Sequence, residues 1–210
     1  MRRVRLLFVL AAITFIANGV AAAQGESSLS SKLAIQNTFY GLTFGQEYTV
    51  EVIKAAVSKK SESPSDITVE RDINGWRIIF EDVFFAGMKW DICEILILTK
   101  GSETNGVFYM VRHYNSYYDA TWENDDTKEA KKIFTNYSKI LDTKYGEGVN
   151  LEQDNKNDIV RTYYGSNDTS ITIYNDREKS EGGSYRRYVG ITYYVRSLSD
   201  SNTSSAIDEL

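Results

Sequence analysis

The chain of 210 residues contains one cysteine, one histidine and one proline, and each scarcity narrows the choice of fold and function. The single cysteine, Cys93, cannot form an internal disulfide, so a hydrophobic core has to hold the fold together. One histidine and one cysteine also cannot supply the three or four soft ligands of a zinc site. A single proline beside fifteen tyrosines is typical of a fold of ordered strands and not of a linker.

The sequence also lacks a recognisable catalytic motif. No Gly-x-Ser-x-Gly elbow is present to place an activated serine beside His113, which we interpret as a polar residue near the end of a strand. The acidic run at 154–158 fails the calcium-loop pattern because Lys156 occupies its third position. We therefore predict no catalytic residue, no metal site and no cofactor. A pair of carboxylates acting on a sugar polymer remains open, because such pairs need no local motif.

Positive charge is scarce, and long hydrophobic runs are absent except at the N-terminus. The net charge is −5, which argues against non-specific binding to nucleic acid. Arginines at positions 2, 3 and 5 precede an apolar run at 6–17, and the alanines at 21–23 form a site for a signal peptidase. A membrane anchor is the alternative, but the run is shorter than the roughly 20 residues that span a bilayer.

We therefore predict a signal peptide at 1–23 and export to the periplasm or the medium, without stable membrane insertion after cleavage. Cleavage removes three arginines and no acidic residue, so the net charge falls from −5 to −8.

The segment 82–99 carries the strongest signal for the fold. It begins as an aromatic turn around Gly87 and continues as an apolar strand at 92–98, in which Cys93 shares a face with Ile95 and Ile97. This alternation predicts a buried, unreactive thiol.

Further strands flank this segment on both sides. Asn74-Gly75 between two β-rich stretches predicts a tight hairpin. The strand at 92–98 is expected to pair with a strand at 107–114. Three more strands are predicted at the end of the sequence, at 159–164, 169–174 and 188–195, with a charged loop at 176–184.

Two helices are predicted from apolar residues at helical spacing. The first carries the stripe Val50, Ile53, Ala56 and Val57. The second begins with a capping box of Asp126 and Glu129 and ends at Gly146. Its stripe consists of Ala130, Ile133, Phe134, Tyr137, Ile140 and Leu141.

The predicted order is helix, four strands, helix, three strands. It predicts an α+β fold in which two helices pack on one face of a curved, mainly antiparallel sheet of about seven strands. The order also suggests two tandem helix-plus-strands units, at 38–118 and 119–196, within one domain at 38–196. A flexible leader at 24–37 and a disordered tail at 197–210 are expected on either side.

Three short motifs resemble a known family. They are Phe39-x-Gly41-Leu42-x-Phe44-Gly45 before the first helix, Phe85-Ala86-Gly87-x-x-Trp90-Asp91 before a strand, and Lys144-Tyr145-Gly146 at the end of the second helix. With them, the stretch 39–195 resembles small exported proteins of the β-lactamase-inhibitor-like (BLIP-like) fold of Bacteroidetes. The resemblance implies tandem helix-plus-sheet units, whose sheets join into one curved surface, and a role in binding other proteins.

The chain also departs from that family's namesake inhibitor. The inhibitor carries disulfides, which this chain cannot form internally, and none of its enzyme-contacting residues matches a position here. The resemblance therefore does not extend to β-lactamase inhibition itself.

Tyrosines of the last strands are the candidate binding residues. Alternation with the aliphatic residues places Tyr174, Tyr188 and Tyr194 on the sheet face opposite the helices, with Arg187 nearby. Tyrosine and arginine anchor many protein interfaces, because they offer a large contact area with a polar tip. The alternative is that these tyrosines are present as good strand formers that pair across neighbouring strands.

These patterns together predict an exported, non-catalytic protein that binds a protein partner through that sheet face. The alternative is an envelope or extracellular enzyme that acts on a polymer through an unidentified pair of carboxylates. A structural component of a larger envelope assembly is a third possibility, and such a component should purify as an oligomer.

Overall fold

The computed structural model describes residues 33–72, 74–99, 104–119, 125–151, 159–179 and 185–199. The predicted signal peptide, residues 24–32 of the predicted leader and residues 200–210 of the predicted tail lie outside the described residues. The side chain of Asp126 and the acidic run at 154–158 also lie outside them.

The first part of the described chain contains short strands and one helix before the main strands begin. The strands are β1 (Thr38–Phe39), β2 (Leu42–Thr43), β3 (Glu47–Thr49), β4 (Ile67–Asp72), β5 (Gly75–Phe85), β6 (Met88–Leu98) and β7 (Asn105–Asp119). Helix α1 (Val50–Val57) follows β3 and continues into a single 3-10 turn, Ser58–Lys60.

The second part repeats the order of one helix followed by strands. It contains α2 (Asp125–Tyr145), β8 (Val149–Leu151), β9 (Ile159–Tyr164), β10 (Thr169–Lys179) and β11 (Tyr185–Val195). Gly146 ends α2 in the left-handed conformation, with a φ of 86°, as its position predicted.

Nine of these strands form one antiparallel sheet in the order β4-β5-β6-β7-β11-β10-β9-β8, with β3 paired to the start of β7. Neighbours along the chain pair as hairpins, and the two meanders meet where β7 pairs with β11. The α+β class and the mainly antiparallel sheet are confirmed. The sheet has nine strands instead of about seven, because β3 and β8 are three-residue strands that show no alternation of their own.

Strand β5 forms a hairpin at each of its ends. The predicted hairpin with β4 is present, but Asp72 pairs with Gly75, so Gly75 already belongs to β5 and not to the turn. At the other end of β5, Ala86 and Gly87 turn the chain into β6 with φ angles of 51° and 78°. Two positive φ angles in succession are typical of tight hairpin turns, because they match the twist of the flanking strands.

One face of the sheet packs with the helices into a single core. Helix α1 contributes Val50, Ile53 and Val57, as its stripe predicted. Helix α2 contributes Ala130, Ile133 and Leu141. The predicted stripe of α2 is wrong at Ile140, whose side chain is 59 % exposed. The strands contribute every second residue, including Ile78, Phe80, Cys93, Ile95, Ile171, Ile173, Val189 and Ile191.

The structure corrects two predicted boundaries. Ile35 is buried and its backbone N–H donates to Asn167 Oδ1 at 2.9 Å, so the last residues of the predicted leader belong to the packed fold. Strand β10 extends into the predicted loop at 176–184 and β11 begins before its predicted start at 188, because backbone pairing continues as far as Lys179 and Tyr185. The guanidinium of Arg177 lies 3.7 Å from the ring centroid of Tyr185 and supports this polar end of the hairpin.

Candidate functional site

The three predicted tyrosines lie on the face of the sheet opposite the core. Tyr174, Tyr188 and Tyr194 alternate along their strands with buried residues such as Ile173, Val189 and Tyr193. Each of the three is half-buried. We call this surface the open face and define it by Glu94, Arg112, Tyr114, Tyr174, Tyr188 and Tyr194.

Arg187 does not belong to the open face. It is 1 % exposed, lies on the same side of β11 as Val189, and donates to Asn175 Oδ1 at 3.0 Å. The prediction that Arg187 contributes to the binding surface is therefore wrong. Side chains alternate between the two faces of a strand, so position 187 faces the same side as the buried residues Val189 and Ile191.

Glu94 lies at the centre of the open face, although its side chain is almost fully buried, and sequence reasoning did not single it out. Its relative exposure is 4 %. Arg112 Nη1 lies 3.2 Å from Glu94 Oε2, and the Tyr114 hydroxyl donates to Oε1 at 3.1 Å. Arg77 Nη1 lies 3.9 Å from Oε1 and also binds Glu70. The two strands that flank β6, β5 and β7, therefore both provide partners to this one carboxylate.

The Glu94 carboxylate influences which side chains of the open face keep their protons. A buried carboxylate is tolerated only when it is paired and hydrogen-bonded, and Glu94 satisfies both conditions. Burial raises the pKa of Tyr114 and of Tyr174, and the Glu94 carboxylate raises both further. Both hydroxyls therefore stay protonated at neutral pH, and Tyr114 uses its proton in the hydrogen bond to Glu94.

The tyrosine rings are held in place by neighbours on adjacent strands. Tyr174 pairs with Gly190, whose missing side chain leaves room for the Tyr174 ring. Tyr114 and Tyr188 contact each other edge to face, with ring centroids 6.0 Å apart. The open face therefore offers fixed aromatic surface, whereas both oxygens of its central carboxylate are already occupied.

A second polar group lies in the core, on the opposite side of the sheet. His113 is fully buried in the middle of β7, so its interpretation as a polar residue at the end of a strand is wrong. Its Nε2 lies 2.5 Å from the Tyr40 hydroxyl, which is itself 3.8 Å from Cys93 Sγ. The imidazole stacks on the ring of Phe85, with centroids 4.1 Å apart.

The chemistry of this core group is that of neutral, buried side chains. Burial lowers the pKa of His113 to about 3, so the imidazole is uncharged at neutral pH. Burial also raises the pKa of the Cys93 thiol, which therefore remains protonated. The predicted burial of Cys93 is confirmed, and its protonated state agrees with an unreactive thiol.

The described residues give no sign of a metal cluster. Within these ranges, no three His, Cys, Asp or Glu side chains come together as a group suited to holding a metal ion. No helix in the described part of the chain is long and apolar enough to cross a membrane.

A scan against protein-family models, a search of curated proteins and a search of solved structures each find no match.

Proposed function

We propose that this chain is an exported, non-catalytic binding protein that recognises a protein partner through the open face. The observation that supports the proposal most directly is the arrangement of tyrosines around Glu94. Arg112 and Tyr114 bind this buried carboxylate and are thereby fixed before any partner arrives.

Fixed tyrosines suit recognition for an energetic reason. Ordering a flexible side chain at an interface costs about 0.5–1.5 kcal/mol, and this cost is lower when the side chain is already held. The ring of Tyr174 occupies the space above Gly190, and that of Tyr188 contacts Tyr114, so both are restrained in the free protein. Their half-buried rings still leave surface for a partner.

The order of elements supports the finer proposal of two tandem units. Helix α1 precedes the meander β4 to β7, and α2 precedes the meander β8 to β11. Pairing of β7 with β11 joins the two meanders into one surface. This arrangement agrees with the resemblance to BLIP-like proteins, which is part of the proposal, as are the signal peptide and export.

Affinity capture tests the proposal. The protein starting at Gln24 is immobilised and exposed to envelope and culture-medium extracts of its source organism. We expect one protein to be retained by the wild type and lost by the variant Tyr174→Ala/Tyr188→Ala/Tyr194→Ala. A matched control replaces three exposed residues of α2, Lys131, Lys132 and Lys139, by alanine and should retain the partner.

The folded state of each variant has to be checked, because the tyrosines are half-buried. Circular dichroism and a cooperative unfolding transition provide this check. Retention of the same partner by a folded triple-tyrosine variant would show that the binding surface lies elsewhere. Retention of a polysaccharide by the wild type would instead favour the enzyme alternative.

A further inference from the structure

A recess that shares no residue with the open face lies between the tip of the β5–β6 hairpin and the turn that joins β1 to β2. Its volume is about 390 Å³. Its walls are mainly aromatic, and Lys60 stands at its edge. The aromatic lining consists of Phe39, Tyr40, Phe84 and Phe85.

Two tight hairpin turns contribute to the wall of the recess. Tyr40 and Ala86 line it, and each precedes a glycine, with successive φ angles of 56° and 84° at Tyr40-Gly41 and of 51° and 78° at Ala86-Gly87. Two positive φ angles in succession are the geometry of a tight hairpin turn, so strand pairing holds both turns in place.

The core fixes two of the aromatic walls from below. The Tyr40 hydroxyl lies 2.5 Å from His113 Nε2, and the Phe85 ring stacks on the imidazole of the same residue. His113 is fully buried, so neither wall can move without disturbing the centre of the sheet. The recess is therefore formed before any ligand binds, as most small-molecule sites are.

The edge of the recess combines exposed apolar surface with a positive charge. Phe84 is 46 % exposed, so part of its ring is accessible to a ligand. Lys60 makes no ion pair with any residue of the described ranges, whereas Lys54 and Lys89 pair with Glu51 and Glu62. A ligand complementary to this surface has an apolar body and one negative charge.

We propose that the recess binds a small amphiphilic carboxylate, either an aromatic or an aliphatic acid. Its apolar body packs among Tyr40, Phe84 and Phe85, and its carboxylate pairs with Lys60. The volume falls in the lower part of the range of roughly 300–1,000 Å³ that small-molecule pockets occupy. This inference is independent of the proposed function of the open face.

Ligand titrations monitored by NMR test the inference with four probe compounds. Indole-3-acetate and decanoate are compared with the neutral amides of the same two acids. We expect saturable shifts of the backbone amides of Tyr40, Phe84 and Gly87 with both acids. Because Lys60 is exposed, its ion pair should make each acid bind about fivefold more tightly than its amide.

Matched variants separate the charge from the apolar contact. Lys60→Met should abolish the preference for the acid and leave the affinity for the amide unchanged. Lys59→Met alters the neighbouring exposed lysine, which does not line the recess, and should behave as wild type. Phe84→Ser should weaken acid and amide alike, by about tenfold, because it removes apolar contact.

Either of two results overturns the inference. One is the absence of shifts at these three amides with both acids at millimolar concentration. The other is that Lys60→Met prefers the acid over the amide by the same factor as the wild type does. Probe binding that shifts only residues of the open face would count as the first result.

Discussion

Tyr174 covers Gly190 on the neighbouring strand so closely that a Cβ at position 190 would lie 2.5 Å from Tyr174 Cζ. The same Cβ would lie 2.7 Å from the backbone oxygen of His113. Gly190→Ala therefore has to displace the tyrosine ring or the strand. We expect a loss of about 2 kcal/mol in the free energy of unfolding, measured by urea denaturation.

A second substitution identifies the cause of this loss. Tyr174→Leu in the Gly190→Ala background removes the ring and should restore part of the stability. The recovery should be incomplete, because the contact with the His113 carbonyl remains. Additive effects of the two substitutions would show that Tyr174 and Gly190 do not constrain each other.

Glu94→Gln should destabilise the protein by about 3 kcal/mol, because it leaves Arg112 and Arg77 beside a neutral amide in a buried position. Glu70→Gln is the matched control. Glu70 also pairs with Arg77, but its side chain is 40 % exposed, so we expect a loss below about 1 kcal/mol. Chemical denaturation at pH 7 measures both, and losses of equal size would contradict the central role of Glu94.

His113 should make the protein sensitive to acid. Its pKa falls from the ordinary value of 6.5 to about 3 on folding, so the folded state favours the neutral imidazole. This contribution to stability is complete above pH 6.5 and is lost as the pH falls towards 3. The slope amounts to about 1.4 kcal/mol per pH unit inside that window.

The variant His113→Phe isolates this contribution. Unfolding free energies are measured between pH 6 and pH 4 for both proteins, and the variant should show the shallower dependence. Its stability at pH 7 is expected to be lower, because the Tyr40 hydroxyl loses its hydrogen-bond partner. Parallel pH profiles would mean that His113 does not titrate in this window.

Asn167 ties the N-terminal segment to the second half of the chain. Its Oδ1 accepts from the Ile35 N–H and its Nδ2 donates to the Ile35 carbonyl, each at 2.9 Å. Asn167→Ala should cost about 2 kcal/mol and accelerate hydrogen exchange at the Ile35 amide. Ser166→Ala is the control, since the Ser166 backbone N–H keeps its bond to Leu33. If hydrogen exchange at the Ile35 amide were unchanged in Asn167→Ala, Asn167 would not hold the N-terminal segment in place.

Elements whose pattern lies within one continuous stretch of sequence could be predicted. Helix α1, the existence of the hairpin between β4 and β5 and the strand that contains Cys93 all follow from local periodicity or turn-forming residues, although the turn itself lies one residue before Asn74-Gly75. Strands β3 and β8 could not be predicted, because three residues carry no period and form strands only through their partners β7 and β9.

The open face was predictable only in part. Alternation along one strand is local, and it placed Tyr174, Tyr188 and Tyr194 correctly on a common side. The group around Glu94 draws on three strands, so it exists only once their register is known. The one local clue was a glutamate inside an otherwise apolar strand.

The hydrogen bond between Ile35 and Asn167 joins residues 132 positions apart. The two meanders likewise join into one sheet only when β11 pairs with β7. Contacts so distant along the chain favour slow folding, because a long loop has to close before they form. Until β11 is available, the edge of β7 remains a template for pairing with another chain. Ile35 is synthesised early, yet it can be held in place only after residue 167 has been made.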